Sequence, residues 1–221
     1  NFVAKNLPNS LSVLAVSEEN NLFFAPDTYM EKIAIGSNLP NNLVDLDFSV
    51  EKNISLLAEA KNTTPDKLTV CILERPRHSK IISSLKKMKV NLKLISDGDV
   101  SGIIYIVDQS SPVDMYLGIG GGPEGVLAAA ALSCYGGQIQ TRLNLNEQEA
   151  IRAKKMGITD LKRKYNIDDM IKGDVMFCAT GITDGDLTNG VKDQKEFYET
   201  STIALHKHGK VNTLFRNKHK K

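Results

Sequence analysis

The stretch Gly118-Ile119-Gly120-Gly121-Gly122-Pro123-Glu124-Gly125 decides the fold, and it leads directly into the alanine-rich run at 126–132. Glycine lets the backbone turn sharply and approach a ligand closely. Pro123 suits the first position of a helix, because its φ angle is fixed and its missing N–H would be unpaired there. The alanines that follow favour a helix. The stretch therefore predicts a buried strand over residues 115–119, a glycine turn and a helix.

Glu124 falls in the first turn of this predicted helix. The backbone N–H groups at a helix start are unpaired and attract anions. A carboxylate beside them is typical of a site that holds a phosphate together with a divalent cation. An ordinary tight turn, in which Glu124 only complements the helix dipole, explains the same residues and stays open at this point.

Composition places the chain among ordinary globular proteins. Of its 221 residues, 41% are hydrophobic and 24% are charged, which is enough apolar material for a core. The net charge of +2 gives no general case for binding nucleic acid or a membrane surface. Three separated cysteines in apolar runs predict reduced thiols and a cytoplasmic protein, not a disulfide frame or a zinc site.

The second half of the chain alternates between strand and helix patterns. Short apolar strands are predicted at residues 68–73, 92–95 and 115–119, and each is followed by a helical pattern. Such alternation favours an α/β fold with a mostly parallel, doubly wound sheet. Two β-hairpins are also predicted, one from residues 11–16 and 22–24, the other across the turn at 208–210.

A helix from Ser49 to about Lys61 ends at a polar segment with Pro65, and the pattern changes there. This change predicts a domain boundary. Residues 1–66 would be the remainder of an N-terminal α+β metal-binding domain, and residues 67–221 a C-terminal α/β substrate-binding domain.

Three polar motifs each follow a predicted strand and precede a predicted helix. They are Glu74-Arg75-Pro76-Arg77-His78, Asp97-Gly98-Asp99 and the glycine turn with Glu124. In open α/β sheets, ligands bind outside the carboxyl ends of the strands. We therefore expect the three motifs to share one edge of the sheet.

The residue types in these motifs suit a sugar phosphate. Arg75 and Arg77 can bind phosphate oxygens in a two-pronged geometry, although a solvated charged turn explains them equally. Asp97 and Asp99 can accept hydrogen bonds from sugar hydroxyls, although Asp99 is also a plain N-cap candidate. His78 is interpreted as a first-turn helix residue and not as a catalyst or ligand.

At this level of detail the chain resembles the class II fructose-1,6-bisphosphatases of the GlpX type. The resemblance covers essentially the whole chain. Its markers are Pro8-Asn9-Ser10-Leu11-Ser12-Val13-Leu14-Ala15, Ala25-Pro26-Asp27-Thr28-Tyr29-Met30-Glu31-Lys32, Arg75-Pro76-Arg77-His78, Asp97-Gly98-Asp99, Gly118 to Gly125, and Ala179-Thr180-Gly181-Ile182-Thr183.

The resemblance implies a layered α/β sandwich of the lithium-sensitive sugar-phosphatase type. It implies hydrolysis of the 1-phosphate of fructose 1,6-bisphosphate with Mn²⁺ or Mg²⁺, as in gluconeogenesis. Glu124 would be a metal ligand. The residues that would bind substrate are Tyr29, Arg75, Pro76, Arg77, Asp97, Gly98, Asp99 and Gly121. Taken alone, Tyr29 would also pass for a core aromatic residue.

The same resemblance leads us to expect an inactive chain. In that family a segment Asp-Pro-x-Glu-Gly-Thr supplies metal carboxylates and the threonine that helps to activate water, and it would lie before Asn1. No catalytic residue is therefore expected here, and a non-catalytic sugar-phosphate-binding remnant or a decayed gene product is the alternative. The expected partner is a phosphorylated ketose. Sedoheptulose 1,7-bisphosphate stays open as the substrate, and so does a homo-oligomer.

Overall fold

The computed structural model describes residues 3–209 and 211–221, except for the side chain of Val211. The strands are β1 Leu11–Ser17, β2 Tyr29–Ile35, β3 Thr69–Leu73, β4 Asn91–Ile95, β5 Met115–Gly121, β6 Gln138–Asn144, β7 Lys164–Tyr165, β8 Val175–Gly181, β9 Lys192–Asp193, β10 Phe197–His206 and β11 Val211–Lys220. The α-helices are α1 Val50–Ala60, α2 Ser79–Lys87, α3 Asp99–Ile104, α4 Gly122–Tyr135, α5 Glu147–Lys155 and α6 Ile167–Met170. Within the described ranges, no helix combines the length and apolar character that crossing a membrane requires.

These elements form two sheets with helices between and outside them. One sheet has the strand order β4-β3-β5-β2-β6-β7, and the other has the order β1-β8-β10-β11 with β9 beside β10. Helix α4 lies between the sheets, because it contacts β2, β5 and β6 of the first and β1, β8 and β10 of the second. Helices α1 and α2 pack on the other face of the first sheet through Ile54, Leu57 and Leu85. The predicted α/β class is confirmed.

The first sheet is mixed, so the prediction of a mostly parallel sheet is wrong. Only β3 with β4 and β3 with β5 are parallel pairs, whereas β2 lies antiparallel between β5 and β6. Helical connections set the directions of β3, β4, β5 and β6, and these four do run the same way. Strand β2 comes from a segment before the alternating pattern, and periodicity does not say where such a strand inserts.

The predicted division at residues 66 and 67 stays a prediction. Both sheets combine strands from the two sides of this position. Strand β1 pairs with β8 along its whole length, from Leu11 opposite Gly181 to Ser17 opposite Val175. Strand β2 is central in the other sheet. The long-range pairing of β1 and β2 thus ties the start of the chain to its second half.

One of the two predicted hairpins forms. Strands β10 and β11 pair antiparallel over ten positions each, and position 210 in their turn lies outside the described residues. Strand β11 includes the basic residues near the end of the chain and continues to Lys220. The prediction of the other hairpin is wrong, because β1 pairs with β8 and Leu22 forms only an isolated bridge with Ile171.

Tyr116 on β5 places a polar atom, its hydroxyl oxygen, inside the core. Its side chain is fully buried, and its hydroxyl has no hydrogen-bond partner in the described part of the chain. An unpaired buried hydroxyl is destabilising, so Tyr116→Phe should leave the free energy of unfolding unchanged or raise it by about 1 kcal/mol. Urea unfolding followed by circular dichroism measures this. A loss of more than about 1 kcal/mol would show that the hydroxyl has a partner, such as a buried water.

Candidate functional site

The three sequence motifs and Tyr29 lie along one edge of the mixed sheet. Strands β3, β4 and β5 run the same way towards this edge. Strands β3 and β4 end level, with Leu73 opposite Ile95, and the backbone N–H of Glu74 donates to the carbonyl of Ile95 at 2.8 Å. Strand β2 runs the opposite way and begins at this edge, where Tyr29 is paired with Gly121. The register therefore confirms the predicted shared edge. The roles of its residues stay predictions.

The glycine turn brings the start of α4 to this edge. Gly121 is the N-cap residue, and the helix begins at Gly122, so Pro123 is its second residue and not the first as predicted. The N–H of Gly122 donates to the carbonyl of Thr28 at 2.7 Å. A Cβ atom on Gly122 would lie 2.8 Å from the carbonyl oxygen of Pro26. Gly122 thus lets the loop before β2 pack against the helix start, and Glu124 in the first turn stays exposed.

Arg77 is fixed at the edge by β5 and Tyr29. Its Nε and Nη2 donate to the carbonyl of Ile119 at 3.1 and 2.8 Å, and its guanidinium carbon lies 4.7 Å from the Tyr29 ring centroid. A cation over an aromatic face is attracted by the ring. Tyr29 is 52% exposed, so the interpretation as a core aromatic residue is wrong. Arg77 is exposed too, so the pair presents a positive charge to solvent.

His78 supports this arrangement from inside. It is fully buried, with Nδ1 2.7 Å from the Leu73 carbonyl, and its Nε2 accepts from the N–H of Ile119 at 2.8 Å. Because Nε2 accepts, the ring proton is on Nδ1 and is donated to Leu73. Burial lowers the pKa of the imidazole, so the ring is neutral. The interpretation of His78 as a structural residue agrees with these contacts.

The two acids of Asp97-Gly98-Asp99 have different environments. Asp97 is exposed and accepts from the N–H of Gly98 at 3.0 Å. Gly98 is the N-cap residue of α3 and has a φ angle of +78°, which glycine adopts without strain. Asp99 is the first residue of α3, so the N-cap interpretation of Asp99 is wrong. Its carboxylate is buried and forms an ion pair with Lys32.

Lys32 on β2 is a site residue that the sequence reasoning missed. Its side chain is completely buried. Lys32 is opposite Gly118 in the register, and it shares a face of β2 with Met30. Burial lowers the pKa of the Lys32 ammonium, while the charge and hydrogen bond of Asp99 oppose this shift. The available signal was a lysine at a core-facing position of a strand that is otherwise apolar at every second residue.

Arg75 and Pro76 are on the same edge but face another groove. Arg75 precedes the short 3₁₀ turn of Pro76–His78, and its Nη1 lies 3.3 Å from the carbonyl of Glu74. Both residues line an open groove along α2 with Ser79 and Lys86. In the described part of the chain, the structure brings Arg77 onto Tyr29, and shows no such contact for Arg75.

The described residues do not form a metal site by themselves. No group of three or more histidine, cysteine, aspartate or glutamate side chains within residues 3–209 and 211–221 is placed to hold an ion. Glu124 is a single exposed carboxylate. Asp99 is already paired with an ammonium group. One or two carboxylates bind Mg²⁺ weakly unless other ligands complete the shell, so a cation would need further donors.

The family model described as bacterial fructose-1,6-bisphosphatase, glpX-encoded, matches residues 1–219. The chain belongs to this family. The inferred resemblance is thereby confirmed, and the family's enzymes are hydrolases.

Named relatives agree with the family. A protein of Synechococcus elongatus named D-fructose 1,6-bisphosphatase class 2/sedoheptulose 1,7-bisphosphatase is 36% identical over 219 residues, which cover 93% of this chain and 63% of that protein. A fructose-1,6-bisphosphatase class 2 of Haemophilus influenzae is 35% identical over 227 residues, covering 96% of this chain and 67% of that protein. The chain thus spans about two thirds or less of the length of these relatives.

Gly120 and Gly121 allow a matched test of the turn. A Cβ atom on Gly120 would overlap the buried Asp99 carboxylate, whereas one on Gly121 would overlap the carboxylate of Glu124, which is exposed and can move. We expect Gly120→Ala to lower the free energy of unfolding by about 1–3 kcal/mol, as overpacking does. Gly121→Ala should cost clearly less in the same urea titration. Equal losses would contradict this description of the turn.

The state of His78 can be measured directly. Since its folded pKa lies below the ordinary value of about 6.5, the folded protein binds fewer protons than the unfolded chain as the pH falls through that value. Stability from this residue is therefore present above about pH 6.5 and is lost on acidification towards the lowered pKa. Long-range ¹H–¹⁵N spectra should show a neutral ring with the proton on Nδ1 at pH 6.5. A charged ring, or a proton on Nε2, would refute the assignment.

Proposed function

We propose that this chain forms the substrate-binding edge of a class II fructose-1,6-bisphosphatase, which removes the 1-phosphate of fructose 1,6-bisphosphate. The family match and the names of the relatives support the reaction class. We extend the proposal to the layered sandwich of the lithium-sensitive phosphatases. The arrangement of sheet, helix layer, sheet and helix layer is compatible with that fold.

The observation that carries the proposal is the fixed guanidinium at the glycine turn. Arg77 is held by the Ile119 carbonyl through two nitrogens and lies over the Tyr29 ring. A guanidinium that is already oriented loses less side-chain entropy when it binds an oxyanion. The positive end of the α4 dipole lies beside it and favours the same kind of ligand, although Gly122 donates its N–H to Thr28 and Pro123 has none. These features favour a phosphate at this end of the sheet.

The acids at the edge suit the sugar part of such a ligand. Asp97 is exposed, and Asp99 keeps 9% of its side-chain surface exposed. An ionised carboxylate only accepts hydrogen bonds, so it favours hydroxyl donors over phosphate. Gly98 and Gly121 have no side chains, so a ligand could approach the backbone closely at these two positions. One phosphate of the bisphosphate would lie at Arg77. Arg75 and Pro76, which line the groove along α2, would contact the other.

The proposed reaction also requires a divalent cation, Mn²⁺ or Mg²⁺, with Glu124 as one of its ligands. When bound, the cation would supply a charged centre that polarises the phosphoryl oxygens. The donors in the described residues do not complete such a site. We therefore assign substrate binding, and no step of hydrolysis, to this chain. Phosphate-monoester hydrolysis is extremely slow without catalysis, so we expect no enzyme-like rate from these residues alone.

The choice between two ketose bisphosphates rests on the relatives. The Synechococcus proteins are named for both fructose 1,6-bisphosphate and sedoheptulose 1,7-bisphosphate, and the Haemophilus protein is named for the first. The two ligands share both terminal phosphates and differ in chain length. We propose fructose 1,6-bisphosphate as the substrate, with the sugar hydroxyls at the two aspartates.

Isothermal titration of the purified, folded chain with fructose 1,6-bisphosphate tests the proposal. Arg77→Met should weaken binding about tenfold or more, because a hydrogen bond to a charged group contributes roughly 1.5–3 kcal/mol. The matched control is Arg216→Met on β11 in the other sheet, where we expect less than a twofold change.

Three further ligands sharpen the same experiment. Fructose without phosphate should not bind measurably, and fructose 6-phosphate should bind more weakly than the bisphosphate. A parallel titration with sedoheptulose 1,7-bisphosphate decides between the two ketoses. No binding of either bisphosphate to a chain that unfolds cooperatively would refute the proposal, and so would equal losses in the two arginine variants.

A further inference from the structure

A buried ion pair lies directly beneath the proposed site. Lys32 on β2 donates to the Oδ2 atom of Asp99 on α3, and the lysine side chain has no exposed surface. Charged side chains are almost never fully buried unless they are paired. The pair joins the centre of the mixed sheet to the helix that follows the Asp97-Gly98-Asp99 motif.

Three glycines make room for this pair. Gly118 is opposite Lys32 in the register, so no side chain competes for the space beside it. A Cβ atom on Gly120 would overlap the Asp99 carboxylate and lie 3.1 Å from the Lys32 ammonium nitrogen. A Cβ atom on Gly125 would lie 3.2 Å from Cε of Lys32. The glycine-rich segment thus encloses the lysine, from β5 on one side and from α4 on the other.

Filling this part of the core with an ion pair costs more free energy than filling it with apolar side chains. Desolvating two charges costs several kcal/mol per ion, and apolar residues of similar volume are often as stable or more stable. Met30 fills the neighbouring position on the same face of β2. Packing alone therefore does not explain why the next inward position is a lysine.

The pair leaves half of the carboxylate available. Oδ2 of Asp99 is bonded to Lys32, while no bond to Oδ1 is present in the described ranges. The side chain keeps 9% of its surface exposed at the sheet edge. With the ammonium group bonded to one oxygen, the Asp99 carboxylate is held in one orientation, and its other oxygen is placed to accept a hydrogen bond.

We propose that Lys32 is a positioning residue, which fixes the Asp99 carboxylate so that its free oxygen accepts a hydrogen bond from a substrate hydroxyl. This inference rests on the proposed function of the edge. Lys32 acts through Asp99, and it does not itself touch the ligand. It is also near the charges of Glu124 and Arg77, which face it from α4 and from the turn after β3.

A thermodynamic cycle separates this role from two others, namely general support of the fold and direct attraction of phosphate. The variants are Lys32→Met, Asp99→Asn and the double variant K32M/D99N. Each is titrated with fructose 1,6-bisphosphate and, separately, with inorganic phosphate. The matched control is Lys93→Met, which removes another lysine–aspartate pair, the one with Asp186, from β4, the outermost strand of the same sheet.

We expect K32M and D99N each to weaken bisphosphate binding about tenfold, with inorganic phosphate within twofold of wild type. The double variant should bind no more than about twofold more weakly than D99N, because Lys32 has nothing left to position. K93M should bind both ligands like wild type. All variants are first checked for cooperative unfolding.

Several results would overturn the inference. One is wild-type binding by folded K32M. Another is a double variant in which the two losses add, since Lys32 would then act on the ligand independently. Equal losses for bisphosphate and inorganic phosphate would indicate general damage to the site. K32M could fail to fold, because it leaves Asp99 unpaired. The inference is then tested by comparing the affinities of D99N and K32M/D99N, because the double variant has no unpaired charge. If folded wild type binds no bisphosphate, the proposed function fails, and this inference fails with it.

Discussion

The absence of side chains along the end of β5 is the constraint on which the rest of the structure depends. Gly118 and Gly120 leave space on the inner face of the sheet, and His78, Asp99 and Lys32 occupy it. Gly122 lets the loop before β2 reach the start of α4. One glycine-rich segment thus fixes the position of a strand, a helix and two polar motifs at a single edge.

The charged residues at this edge form an exposed layer above a buried one. Arg77 and Glu124 are exposed at the rim, where an anionic ligand and a cation would approach. Asp99 and Lys32 form a buried pair below them. Since the buried aspartate is neutralised by its lysine, the rim is not dominated by negative charge. A ligand that carries both phosphates and hydroxyls matches this order of groups better than a bare cation does.

Sequence patterns located the edge but not all of its contents. Strand–helix alternation predicted the parallel trio β3, β4 and β5, and with it the meeting of three motifs. It could not place β2, because pairing between distant segments depends on the core and leaves no local signal. Lys32 did have a local signal, a lysine at a core-facing position of an apolar strand, but its pairing with Asp99 depends on the placement of β2 beside β5.

The two acids of Asp97-Gly98-Asp99 show the same limit at a single motif. Both were equivalent candidates in the sequence, and the turn at Gly98 makes one exposed and the other buried. Conversely, the expected hairpin at residues 17–21 failed although its local pattern was reasonable. Instead, all seven residues of β1 pair with β8, which lies far along the chain.

An NMR titration of the ¹⁵N-labelled chain with fructose 1,6-bisphosphate tests the central claim most directly, namely that one sheet edge within this chain holds the substrate. The account predicts saturable shifts concentrated at the amides of Arg77, Asp97 to Asp99, Gly120 to Gly122 and Glu124. Amides of the β10–β11 hairpin should not move. Shifts confined to another surface, or no shifts at millimolar ligand in a folded sample, would contradict the account.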